Sequence, residues 1–174
     1  MTATDHSPAP TADQQVRTGH ADAVGTDHAA PVRTEHAPVR FDTKIAVLLR
    51  DDLAPWQRLN VTAFLVSGLG TAVPEVIGEP YADADGTAYL PMFRQPVLVF
   101  EADKETLTAA HGRALSRALP RSVFTSDLFA TGNDRDNRAA VRAVPRDHLD
   151  LVGLAVHGPR NAVDRVLKGA RMHP

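Results

Sequence analysis

Three stretches of this chain hold side chains suited to acid–base or hydrogen-bonding chemistry. The first is Arg50-Asp51-Asp52, followed by Gln57 and Asn60. The second runs from Thr125-Ser126-Asp127 to Thr131-Gly132-Asn133-Asp134-Arg135-Asp136-Asn137-Arg138, and the third is His157-Gly158. Each follows a short apolar run that reads as a strand, and in α/β sheets ligands collect beyond the carboxyl ends of strands. If the three converge, Asp52 or His157 would serve as the acid/base. The amides of Gln57, Asn60 and Asn137 would orient a carbonyl, Thr131 would join them in binding the substrate, and Arg138 would hold an anionic group. Each piece also has a plainer reading. Acidic pairs commonly serve as turn residues and helix N-caps, a histidine at a strand end can be structural, and a polar loop can be built from Asx turns. Gln57 and Asn60 lie three apart on an apolar helix, where buried amides need partners whatever their role.

Other chemistries lose ground through what is missing. With no cysteine there is no thiolate nucleophile, disulfide, Cys-ligated zinc or iron–sulfur cluster. No Gly-x-Gly-x-x-Gly, phosphate loop, Gly-x-Ser-x-Gly elbow or His-x-x-x-His pair occurs, which argues against nucleotide binding, serine hydrolysis and zinc hydrolysis. A Ser126–His157–Asp triad is a remote alternative. No metal or cofactor is implied.

Strand and helix patterns alternate from Thr43 onward. Lys44-Ile-Ala-Val-Leu-Leu-Arg50 is a continuous apolar run bounded by charges, as expected of a strand buried on both faces. Pro55 suits a first helical turn, and the helix should run from Trp56 to Ser67, stop at Gly68 and Gly70, and be covered on most sides. Asp85-Gly86 signals a turn between short segments at 79–82 and 88–93. Pro96–Phe100 reads as a buried strand. Asp103 should cap a helix through Leu119, ended by Pro120. Ser122–Thr125 is a short strand, a helix should begin near Asp136, and Leu151–Val156 is a buried strand. Asn161–Lys168 follows as a helix with Gly169 at its end. This order predicts a small layered α/β sandwich with a central mixed, mostly parallel sheet flanked by helices.

The 174 residues divide into two segments. Up to Arg40 the only large apolar residues are Met1, Val16, Val24, Val32 and Val39, too few to offset the entropy of ordering, so 1–42 reads as a disordered tail and 43–174 as one α/β domain. The tail repeats V-x-T-x-H at Val16–His20, Val24–His28 and Val32–His36, which reads as local duplication rather than a folded repeat. It holds four of the eight histidines and a net charge of −3, against −2 for the whole chain, so the domain is nearly neutral. Nothing draws the chain globally toward nucleic acid or anionic lipid. No run approaches the roughly 20 apolar residues of a membrane span and no signal peptide is legible, so the reading is a soluble, cytoplasmic protein with no membrane partner.

The segments Lys44–Leu53, Trp56-Gln57-Arg58-Leu59-Asn60-Val61, Thr131-Gly132-Asn133 with Asp136-Asn137-Arg138, and Asp150–Gly158 with Val163-Asp164 and Leu167-Lys168-Gly169 resemble a bacterial family of unknown function, DUF2000, over about residues 43–174. That family resembles peptidyl-tRNA hydrolase type II in fold. The resemblance implies a small α/β sandwich whose first strand and helix form one wall of the cleft, and Val156-His157-Gly158-Pro159 is similar to the hydrolase's ending. The hydrolase's catalytic lysine has no counterpart, because Trp56-Gln57-Arg58 occupies that stretch. Only Arg58 could supply a cation, and arginine does not shuttle protons near neutral pH. The leading expectation is therefore a metal-independent enzyme acting by acid/base chemistry on a small polar metabolite or an aminoacyl or acyl ester. The alternatives are a non-catalytic module that binds a small molecule or a partner, and a genuine tRNA-binding hydrolase. tRNA binding, which would need a basic face of Arg50, Arg58, Arg135, Arg138 and Arg142, is not favoured. A homodimer is compatible with the chain.

Overall fold

The computed structural model describes residues 39–174. The expected tail and its repeat lie outside the described residues, except for 39–42. The charged-flanked apolar run forms strand β1 (Thr43–Arg50), the centre of a five-stranded sheet ordered β5-β6-β1-β4-β7. The other strands are β4 (Val97–Ala102), β5 (Arg121–Thr125), β6 (Leu151–Pro159) and β7 (Arg171–Met172), and a separate hairpin pairs β2 (Tyr81–Ala82) with β3 (Ala88–Tyr89). The mixed α/β character is as expected. "Mostly parallel" is corrected: of the neighbouring pairs in the large sheet only β1–β4 is parallel, while β1–β6, β5–β6 and β4–β7 are antiparallel.

The reason lies in the helices. Helix α1 (Pro55–Ala72) and helix α2 (Lys104–Ser116) each carry the chain back along the sheet, so β4 and β5 run in the direction of β1. Helix α3 (Asp134–Arg142) buries no residue and covers no sheet face. The chain therefore re-enters the sheet at the end where β5 left it, and β6 must run backwards. Helix α4 (Arg160–Val166) closes the chain before β7, an edge pairing that two polar-flanked residues do not announce in sequence.

Alternation along the strands makes two cores. Ala46, Leu48, Leu154 and Val156 face α2 and α4, while Ile45, Val47, Leu49 and Ala155 face Val61, Leu65 and Leu69 of α1. Helix α1 does not stop at its glycines. A Cβ on Gly68 would stand 3.1 Å from Ser122 Cβ, and one on Gly70 would stand 3.2 Å from Phe93, so both glycines serve close packing of an unbroken helix. Nor is the helix covered on most sides: Trp56, Leu59 and Phe64 are all more than half exposed.

Candidate functional site

β6 decides which of the expected site residues meet. Because it runs against β1, its carboxyl end lies at the amino end of β1: His157 stands opposite Ile45, five residues, or about 16 Å, from Arg50. Asp52 lies beyond Arg50, so the two acid/base candidates occupy opposite ends of the sheet, and the expected cleft holding both does not form. His157 is 4% exposed, in the α1-side layer, and burial pushes its pKa below the ordinary histidine value despite the opposing charge of Glu75. Asp52 accepts from Arg50 Nε at 2.7 Å on the surface, and Arg50 also holds Asp150 at 3.0 Å. Gln57 turns back: its Oε1 accepts the Ala54 N–H at 2.9 Å, capping the helix start. Arg138 is exposed and pairs with Asp134 at 3.0 Å, one turn away on α3.

The remaining three candidates do meet. Asn60, Thr131 and Asn137 line a cleft of about 340 Å³ between the outer side of α1, the single-turn helix Ser126–Ala130 and the start of α3. Its wall is a run of aromatic rings. Trp56 meets Phe129 edge-on with centroids 5.6 Å apart, Phe129 leans on Phe124 at 5.1 Å, and Phe124 meets Phe64 at 5.7 Å. These rings are the part that residue-by-residue reading missed. Trp56 and Phe64, eight apart on one helix, looked like core residues, and nothing in the order of the chain ties them to Phe124 and Phe129.

Two amides in the cleft keep donors open. Asn60 makes no hydrogen bond among the described residues, and Asn137 uses only its carbonyl oxygen, which accepts from the Thr131 hydroxyl. Asn133 is instead structural. Its Oδ1 accepts the Asp136 N–H at 3.0 Å and its amide donates to Asp136 Oδ2 at 2.8 Å, which starts α3 two residues before the sequence suggested. Replacing Asn133 with Ala should cost about 1 kcal/mol of stability, as for other N-caps, and loosen the turn that presents Asn137. Urea denaturation and hydrogen exchange at Asp136 check this, and exchange unchanged from wild type would refute it. The cleft's one carboxylate, Asp134, is exposed. Among the described residues no group of three or more His, Asp or Glu gathers as a metal would require.

Against known proteins, the family model described as "Protein of unknown function (DUF2000)" matches residues 43–174. The chain belongs to the DUF2000 family. A solved protein of unknown function from Agrobacterium tumefaciens is 47% identical, with a TM-score of 0.75 over 78% of this chain and 100% of that one. No curated protein matches. All seven site candidates and the aromatic wall fall inside the family region. No helix among the described residues is long and apolar enough to cross a membrane.

Proposed function

We propose that this DUF2000 protein has a peptidyl-tRNA-hydrolase-II-like fold and binds a small, flat, uncharged ligand of nucleobase or aromatic-amide type in the cleft between α1 and α3. One observation carries this reading: two open amides, on Asn60 and Asn137, face a wall of four aromatic rings in a cavity of about 340 Å³. Aromatic faces attract flat rings, and amides read paired donors and acceptors along a ring edge. The volume is at the small end of the roughly 300–1,000 Å³ found for small-molecule sites. Recognition is favoured over turnover, because the acid/base candidates Asp52 and His157 lie elsewhere and Asp134 is tied to Arg138. tRNA is disfavoured, since Arg50, Arg58, Arg135 and Arg138 of the supposed basic face are all ion-paired.

The protein carries its own reporter. Trp56 is the sole tryptophan in the sequence and stands in the cleft wall. Titration with nucleosides and with aromatic carboxamides should quench or shift its emission for one of the two classes. Asn60→Ala and Asn137→Ala should each weaken that binding about tenfold, the worth of one good hydrogen bond. Emission unchanged by both classes at millimolar concentration, or an affinity indifferent to both substitutions, would overturn the reading.

A further inference from the structure

The hairpin β2–β3 projects from the body. Every residue from Glu79 to Leu90 is exposed, so among the described residues the arm is not covered by another element. It is nevertheless well built. Gly86 turns its tip at φ 84°, Asp83 accepts the Thr87 N–H at 2.8 Å, and the Tyr89 hydroxyl donates to Asp83 at 2.9 Å. A bare two-stranded hairpin is marginal in water, and this one displays Tyr81, Tyr89, Leu90 and, at its root, Met92, each close to half exposed or more.

Beside the arm lies a recess. The root is fixed by the Ile77–Phe93 bridge and by Arg94 N–H donating to Val76 at 2.9 Å, and both bridge residues pack in the α1-side core. The chain then enters β4. Along β4 runs a groove of about 720 Å³, lined by Leu59, Thr62 and Ala63 of α1, by Val97 and Val99, and by Met172. Leu59 is 75% and Met172 55% exposed. The groove is on the side of α1 away from the Trp56–Asn60 cleft.

We propose that the arm of one copy seats in the groove of a second copy, and reciprocally, making a two-fold dimer. Three features point to a second copy as the occupant. Area is the first: taking roughly 150–250 Å² for a large residue, the exposed fractions of Leu59, Met172, Tyr81, Tyr89, Leu90 and Met92 leave on the order of 700 Å² of accessible surface per copy on mainly apolar residues. A standard stable interface covers about 800 Å² per partner. Charge is the second. The arm carries Glu79, Asp83 and Asp85 with no base before Arg94, so two arms repel each other and an arm-on-arm pairing is disfavoured, while the groove's Arg58 is already paired with Glu101 and leaves the groove without a free charge against the arm. The third is that α1 has no charge from Leu59 to its end, so nothing on that face opposes self-association or selects a charged foreign partner.

Light scattering on the full chain between about 10 and 100 μM should give twice 18.7 kDa. Leu90→Glu on the arm and Ala63→Glu in the groove both alter exposed positions, so far-UV circular dichroism should match wild type while each weakens the dimer by at least about a hundredfold. Geometry is tested separately. The chain has no cysteine, so mixing Leu90→Cys with Leu59→Cys copies should give a mixed disulfide between chains in preference to Leu90→Cys self-linking. A monomer throughout, a dimer indifferent to both charge substitutions, or preferential self-linking would overturn the proposal. So would a monomer whose Leu59→Cys thiol is shielded from maleimide, which would place residues 1–38 in the groove. The ligand cleft and its fluorescence test stand or fall independently.

Discussion

Gly153→Val is expected to abolish folding. Gly153 sits in β6, hydrogen-bonded between β5 and β1, under α1. A Cβ built there would stand 2.5 Å from Val61 Cγ1 and 2.9 Å from Leu65 Cδ1, against the roughly 3.5–4.0 Å at which carbons rest. Val61 and Leu65 are fully buried and have nowhere to retreat, so α1 would have to lift off the sheet. Overpacking a well-filled core costs about 1–3 kcal/mol and sometimes more. Gly153→Ala should therefore lose about 2–4 kcal/mol. Valine adds two further carbons and should exhaust most of the roughly 5–15 kcal/mol that holds a domain together. Urea midpoints and circular dichroism measure this directly. The control is Gly112→Ala, on the exposed side of α2 with nothing within 4 Å of its Cβ position, which should raise stability by about 0.5–1 kcal/mol. A Gly153→Val protein that melts like wild type would mean that α1 does not press on β6 as described. The consequence reaches function, because the helix that Gly153 admits also presents Trp56 and Asn60.

The elements were legible where local chemistry is decisive. The β1 run, the Asp103 cap on α2, the Gly86 turn and the closing strand–helix unit all follow from short-range pattern, and each appears within a few residues of its expected bounds. Asp103 Oδ1 does accept the Thr106 N–H, at 2.8 Å. Strand direction was not legible, since it depends on whether α3 crosses the sheet, and the sequence shows a helix without showing what it covers. That one difference moved His157 from the expected pocket to the far end of β1. The glycines of α1 misled for a related reason: Gly68 and Gly70 look like helix stops until Ser122 and Phe93 arrive from distant segments. Of the site, the amides at Asn60 and Asn137 and the hydroxyl of Thr131 were readable as polar groups without an apolar purpose. Gln57 looked the same, but three residues from the helix start it serves the backbone of Ala54.

Arg58, the only cation in helix α1, should prove to be a tie rather than a proton carrier. Its Nη1 donates to Glu101 at 2.7 Å, its Nε donates to the Leu53 carbonyl at 3.0 Å, and a third bond reaches the Asp51 carbonyl. It thus pins the β1–α1 loop to the end of β4, and Arg171 holds Glu101 from the other side at 2.8 Å. Arg58→Met should destabilise the protein at neutral pH by about 1 kcal/mol or more for each carbonyl bond lost, with the stripped carboxylate adding to the cost. The hydrogen bond from Arg58, then that from Arg171, hold the Glu101 carboxyl below its ordinary pKa against the opposing effect of burial. A depressed folded pKa contributes stability that is fully present above the ordinary glutamate value and lost as pH falls through the folded one. The urea-midpoint gap between wild type and Glu101→Gln should therefore be widest near neutrality and narrow as pH falls below the ordinary glutamate range. Arg58→Met should narrow the same acid limb, because the largest single cause of the depression is the hydrogen bond from Arg58 itself. Arg58→Lys, one point donor in place of a planar fork, should recover the pairing with Glu101 but not both carbonyl bonds, and fall between. A gap that stays constant from about pH 7 to pH 3 would show that Glu101 gains nothing from its two arginines and would free Arg58 for another role.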